Sequence, residues 1–502
     1  MRALHALILA AALFAAGPAA AAPPRVAPAP AVTAASQIYG DPALPGTPEA
    51  AELAARGYVR EELLMSGTAD VYGYDAKGVA RIETPGVPYT TRLIVIRPRS
   101  AANFSGSVQL NPFHPVNGQG VWSSVRDYVL AHGDAYVGVM IGGDATTRGI
   151  PAGQPPLSAP LVLPWFDPVR YAAIRWPDED GIRWDVFAQA AQAVRQPGAV
   201  LGPLTAERVY ASGWSFTGSF LRTFINEGFH DRLRDARGRP LIDGYLIGIS
   251  SSSFRSGYVP INAYTPNLEP DDPRRQNRAI DAPVIQLMSE NEAITNREPQ
   301  TPDSDGPGRR TRLYEVPGLT HGSGGRTQTD VTGQQRARRT GGPPPAPPTS
   351  ACPFPITDVD MSHFGQASLA NLDRWVRTGA PPPRAPRMRV DAAFAQVRDA
   401  QGNTLGGLRP AQLAVPLARY GEPADGACAP RAGLGSPAIQ MRRIPLSAEA
   451  LRALYPGGAA DYLAKFDAHL EAMVREGWLL AADAAREKAQ ARTAARTAFG
   501  GP

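Results

Sequence analysis

The run Gly213-Trp214-Ser215-Phe216-Thr217-Gly218 places a serine where a short apolar strand pattern, Arg208-Val209-Tyr210-Ala211, gives way to a helical one. Phe216, Phe220, Leu221, Phe224 and Ile225 recur at helical spacing, as on a buried helix face. A serine at such a corner is held in a strained turn with its hydroxyl above the sheet, and the first helix amide faces the same space. That arrangement suits attack on a carbonyl, with the resulting oxyanion held by backbone N–H groups. A bare Gly-x-Ser is a weak signal. Its strand-turn-helix setting makes this one informative.

A serine hydroxyl needs a base, usually a histidine oriented by a carboxylate. Of the seven histidines, His321 stands apart, because it follows the late strand-like run Thr311 to Val316 on a glycine-rich loop. The competing plain reading is a surface-loop histidine. The carboxylate should fall between serine and histidine in the chain. Pro283 to Met288 reads as a buried strand and runs into Ser289-Glu290-Asn291-Glu292. Glu292 is the expected acid and Glu290 the alternative, since both sit at the strand end where open α/β sheets keep their sites.

The elements that must position these residues can be counted. Apolar runs fall near 70–76, 91–98, 106–111, 135–141, 207–213, 243–249, 283–288 and 311–316. Helical patterns fill 119–132, 182–195, 216–228 and 363–378. Ser215 then follows the fifth strand, Glu292 the seventh and His321 the eighth.

In order and position this resembles the α/β-hydrolase superfamily, and in particular the bacterial secreted "alpha/beta hydrolase domain" family, which is serine esterase-like. Thr91 to Pro98, Asn111-Pro112, Gly238-Arg239-Pro240 with Asp243-Gly244, Trp375-Val376-Arg377 and Gly406-Gly407-Leu408-Arg409 carry the likeness, over roughly residues 50–500. It implies an α/β fold: a mostly parallel eight-stranded sheet flanked by helices, with insertions and a C-terminal helical or irregular extension. It also implies a catalytic triad, here Ser215, Glu292 and His321, with glutamate where aspartate is more usual; no cofactor is expected, and no cysteine cluster or HExxH motif suggests a metal. The oxyanion donors would be the Phe216 amide and one from the 111–118 loop, where Pro112 and Pro115 have no N–H, leaving Phe113 and His114. Trp214 and Asn111 are expected to line the pocket. One departure is Thr217, which stands where many such corners have a second glycine, with Gly218 one residue later.

The expected organisation is a signal peptide over 1–21, a Pro/Ala-rich spacer over 22–48, a catalytic domain over 49–385 and an extension over 386–502. Insertions at about 145–181 and 323–358 interrupt the catalytic domain. The first is expected as a lid or pocket wall, with a stiff structural loop as the rival reading, and the second as partly disordered. A leader places the mature protein in the periplasm or outside the cell. Cys352 and Cys428 are the only cysteines, and export favours a disulfide between them. No later run of apolar residues is long enough for stable membrane insertion. The formal charge is +5, and its densest patch, Arg336, Arg338 and Arg339, falls in a Gly/Pro-rich stretch without interleaved aromatics, which does not suit nucleic acid. The expected partner is a small-molecule ester, and the oligomeric state is open. The expected function is an exported carboxylic ester hydrolase. An acyltransferase or peptidase on the same triad, or a non-catalytic binding protein on the same scaffold, are the alternatives.

Overall fold

A computed structural model describes residues 23–41, 47–76, 78–115, 120–142, 159–250, 261–262, 276–295, 301–321, 331–342, 352–392, 395–421 and 441–500. The expected leader, Cys428 and parts of both insertions lie outside these residues.

The strands are β1 (Arg25–Pro28), β2 (Tyr58–Tyr74), β3 (Ala80–Pro98), β4 (Ser107–Phe113), β5 (Ala135–Met140), β6 (Arg208–Trp214), β7 (Gly244–Gly248), β8 (Val284–Ser289), β9 (Ser304–Gly306) and β10 (Arg309–Val316). They form one ten-stranded sheet in the order β1-β2-β3-β5-β4-β6-β7-β8-β10-β9. From β5 to β10 the neighbours pair in parallel. Their C-terminal ends therefore share one edge, and everything that follows β4, β6, β8 and β10 emerges there. Every residue of β4, β5, β7 and β8 is buried, as parallel strands covered on both faces require.

Ten strands stand where eight were expected. β1 lies inside the stretch read as a spacer and pairs antiparallel with Leu63–Ser66 of β2. Its proline is tolerated because an edge strand need not donate on its outer side. β9 folds back on β10 through a Gly-Pro-Gly turn that hides so short a strand. β2 and β3 are also longer than their apolar cores, because Thr84-Pro85-Gly86 interrupts the pattern in the middle of their hairpin, where the register shifts.

Helices α1 (Pro48–Ala55), α2 (Trp122–His132), α3 (Ala159–Phe166), α4 (Arg183–Arg195), α5 (Phe216–Asn226), α6 (Phe229–Arg232), α7 (Glu290–Thr295), α8 (Val331–Thr340) and α9 (Met361–Thr378) accompany the sheet. On one face, Trp184 stacks on Phe220 at 4.7 Å and Phe187 meets Phe220 edge-on, over Val95, Val137 and Val209. On the other, Val125 of α2 with Phe364 and Trp375 of α9 covers Ile96, Leu246 and Leu287. The C-terminal elements are α10 (Ala411–Ala414), the hairpin β11 (Ala418–Gly421) and β12 (Arg442–Pro445), then α11 (Ala448–Leu454), α12 (Gly458–Glu476) and α13 (Ala481–Phe499). Phe466, Leu470, Ala484 and Ala491 enter that second core. His363 of α9 pins α13 through a 2.8 Å contact with Glu487.

The basic patch lies on a helix rather than in a loop. The run from Gln334 to Arg339 is rich in good helix formers, and Gln335 is buried, accepting from the Gly40 amide and donating to the Ile38 carbonyl. Among the described residues, no helix is long and apolar enough to cross a membrane.

Candidate active site

Ser215 leaves β6 with φ 55° and ψ −124°, a backbone region that is costly for a residue bearing a Cβ. Its surroundings impose this. The Ser215 amide donates to the Gly248 carbonyl at 3.0 Å, locking the corner to β7. The Thr217 hydroxyl accepts from the Trp214 amide at 2.9 Å and donates to the Trp214 carbonyl at 2.8 Å. A Cβ on Gly213 would lie 2.5 Å from the Thr217 carbonyl oxygen, and one on Gly218 would lie 2.7 Å from the Gly248 oxygen. Both glycines are thus demanded by the close approach of α5 to β6 and β7. Thr217, the apparent departure from the motif, clasps the turn. Ile249, just after the Gly248 acceptor, is a second non-glycine residue in the left-handed region, at φ 38°.

Glu292 is on α7 beyond β8, and His321 ends the turn after β10. Their side chains meet, with Glu292 Oε1 2.6 Å from His321 Nδ1. The glutamate is completely buried while the imidazole keeps 19% of its side-chain surface. One ring nitrogen is therefore engaged by a buried carboxylate, and the ring itself reaches solvent.

Glu290 has a different task. Its Oε2 accepts from the Gly318 amide at 2.7 Å, and its Oε1 accepts from Thr404 at 2.7 Å and from Gln396 at 3.2 Å. Arg398 stands 3.6 Å away. Burial raises its pKa above the ordinary carboxylate value, against the pull of these donors. The geometry brings Glu292, not Glu290, to the imidazole.

The other expected site residues fall into two groups. Phe216 opens α5, where the first amides point out of a helix. The His114 ring lies 5.5 Å from the Phe216 ring, so His114 adjoins the residue after the serine. Arg183 covers Phe216 as well, with its guanidinium carbon 5.9 Å from the ring centre. Phe113 is the last residue of β4 and is buried. Its ring covers Gly138, where a Cβ would come within 2.0 Å of it. Residues 116–119 of the same loop lie outside the described residues.

Trp214 and Asn111 do not take the pocket positions expected of them. The Trp214 indole fills the space over Gly248, where a Cβ would lie 1.8 Å from the ring, and abuts Gly365 of α9. Asn111 is fully buried; it donates to the Ser212 hydroxyl at 2.7 Å and accepts from the Val121 amide at 3.2 Å. Both side chains are buried at the C-terminal ends of β4 and β6, against Gly248 and Gly365 for Trp214 and against Ser212 for Asn111.

The described part of the first insertion packs over the same edge. Val162 and Leu163 of α3 form a small core with Met140 at the end of β5, Tyr39 and Tyr171. Trp176 covers Gly142, where a Cβ would come within 2.4 Å of the indole. Cys352 is not a free thiol.

A profile of the family described as "Alpha/beta hydrolase domain" matches residues 25–489. No curated protein matches the sequence. Solved structures similar to the chain include a bacterial heroin esterase, at 14% identity over 58% of this chain and 86% of that one, with a TM-score of 0.28. Acetyl xylan esterase 1 from Thermoanaerobacterium sp. is 10% identical over 51% of this chain and 77% of that one, with a TM-score of 0.26. A prolyl endopeptidase is also 10% identical, over 51% of this chain but only 35% of its own length, with a TM-score of 0.24. Likeness this distant carries nothing about reaction or substrate. The family match, in contrast, runs from the edge strand β1 through the sheet, the serine corner and the C-terminal helices into α13, and on that extent the chain belongs to the alpha/beta hydrolase domain family.

Proposed function

We propose that the protein is a serine hydrolase that cleaves carboxylic esters, with Ser215 as nucleophile, His321 as base and Glu292 as the acid that orients it. The observation that carries this reading is the 2.6 Å contact between buried Glu292 and partly exposed His321, on the sheet edge where Ser215 emerges in a strained corner.

In this mechanism Ser215 Oγ attacks the ester carbonyl while His321 Nε2 takes its proton. Glu292 holds the proton on Nδ1, which fixes the tautomer, and stabilises the imidazolium that forms. The Phe216 amide and one from the Phe113–His114 segment hold the developing oxyanion. The imidazolium returns its proton to the leaving alcohol, and water then releases the acid by the same route reversed.

The test is turnover of p-nitrophenyl esters of graded chain length by wild type and Ser215→Ala. The variant should lose on the order of 10⁴-fold or more. Retention of more than a tenth of the activity contradicts the serine mechanism, and turnover of a matched peptide but of no ester would make the enzyme a peptidase.

The proposal includes export and a Cys352–Cys428 disulfide. It is supported by the leader-like N-terminus and by the absence of a free thiol at Cys352. Mass measurement of the mature protein after alkylation without reductant should show neither cysteine modified and the leader gone.

A further inference from the structure

A cavity of about 460 Å³ opens between three segments far apart in the chain: the N-terminal arm at Ala34–Gln37, the end of α3 with the two residues after it, and the later part of α8. Its volume is in the range that holds small ligands. The arm that forms one wall is fastened on both sides. Before it, Arg170 Nη1 donates to the Pro30 carbonyl at 2.6 Å, and the same buried guanidinium donates through Nε to Glu62 at 2.7 Å. After it, Gln335 holds Ile38 and Gly40 by both ends of its amide, Arg92 donates to the Tyr39 carbonyl at 2.8 Å, and the Tyr39 amide donates to Tyr171 at 2.9 Å. The wall is built, not draped.

The lining has a definite chemistry. Arg338 and Arg339 face it from the last turn of α8. Both side chains are exposed; that of Arg338 makes no ion pair or hydrogen bond among the described residues, and that of Arg339 only one, to the Trp165 carbonyl at 3.3 Å. The one acid in the lining, Asp167, is occupied by the Ser36 hydroxyl and the amides of Val169 and Arg170. Two guanidinium groups against one carboxylate leave a charge of +1, which matches a monoanion and disfavours a dianion. Ala34, Ala35, Phe166 and Pro168 give the wall an apolar stretch, with Gln37 and Gln335 beside it.

We propose that this cavity is a second binding site, one for a small monocarboxylic acid with an apolar body. The carboxylate would lie across the Arg338 and Arg339 guanidinium groups, whose planar forks match its geometry. The apolar body would lie against Phe166 and Pro168. The site does not depend on the serine chemistry proposed above.

Isothermal titration of the full chain with hexanoate and benzoate, set against hexanamide, benzamide and inorganic phosphate, tests it. The acids should bind roughly tenfold or more tightly than their amides, the value of a charge-assisted contact, and more tightly than phosphate. Arg338→Gln and Arg339→Gln should each remove most of that preference, while Arg452→Gln on α11 should leave it intact. Gln37→Glu, which puts a negative charge in the arm wall without touching α8, should weaken the acids and spare the amides, and thermal melts of each variant check that the fold persists. Equal binding of acid and amide, tighter binding of phosphate, or acid binding indifferent to both the arginine and Gln37 variants would overturn the proposal.

Discussion

Glu290 accepts a 2.7 Å hydrogen bond from the Gly318 amide while its own amide donates to the Leu319 carbonyl at 3.1 Å. This pair of bonds ties the corner after β8 to the turn after β10, the two segments that carry Glu292 and His321. The carboxylate is itself held from the other side by Thr404 and Gln396. The C-terminal extension thus reaches within one side chain of the Glu292–His321 pair.

The two glutamates should separate cleanly when Glu292→Gln and Glu290→Gln are assayed on one ester. Loss of the acid that fixes the imidazole tautomer should cost on the order of 10³ to 10⁴ in kcat. Glu290→Gln should cost roughly tenfold or less in kcat but lower Tm, because an amide cannot satisfy Gly318, Thr404 and Gln396 together. A Glu290 variant crippled in turnover with unchanged Tm would reverse the two roles.

The serine corner should be sensitive to a single hydroxyl. Thr217→Val keeps the shape but strands the Trp214 amide and carbonyl, a cost of about 1–3 kcal/mol in a buried site, and should lower kcat with it. Thr217→Ser should recover both. If Thr217→Val matches wild type in Tm and kcat, the clasp does not hold the corner.

How much of this was legible depended on how far each residue's role lies along the chain from its cause. Ser215, Glu292 and His321 each follow a strand that its run of apolar or β-branched residues makes recognisable, so strand counting placed them on one edge. Glu292 was already the preferred acid from its place past the strand end, but what Glu290 does instead depends on Gly318 and Thr404, partners 28 and 114 residues away from it. Trp214 and Asn111 were misplaced because a residue at a strand end can face the core as readily as the pocket, and only Gly248, Gly365 and Ser212 decide it. β1 was hidden by its prolines, and α8 by the Gly/Pro-rich stretches around it. The glycine at 218 rather than 217 was visible, but its reason, the Gly248 carbonyl of the next strand, was not.

Stability should fall as pH rises, through the contact between α9 and α13. Burial pushes the Asp483 carboxyl up to about 6, despite His363 and Arg486 beside it. His363 is raised above its ordinary value: burial opposes the rise, but the hydrogen bond to Glu487, with Asp360 and Asp483 nearby, outweighs it. The folded state therefore holds more protons than the unfolded state at both groups. Stability is lost between about pH 4 and 6 through Asp483, and above about 6.5 as His363 gives up its proton. The protection of the α13 amides, with exchange corrected for its intrinsic rate at each pH, should be greater at pH 5 than at pH 8, and Asp483→Asn should flatten the lower part of that dependence. Greater protection at pH 8 would contradict the assignment.

His114 adjoins Phe216, but the proposed mechanism makes His321 the base. His114→Ala should therefore alter KM more than kcat and keep most of the turnover, whereas His321→Ala should abolish it. Equal losses from the two variants would mean that the base has been misassigned.

The most direct measurement is reaction of the intact protein with a fluorophosphonate, followed by peptide mass mapping. Only a serine activated by a neighbouring base should react at a useful rate. One adduct per chain is expected, on the peptide containing Ser215, absent in Ser215→Ala and strongly slowed in His321→Ala and Glu292→Gln. No adduct, or an adduct on another residue that persists in Ser215→Ala, would contradict it.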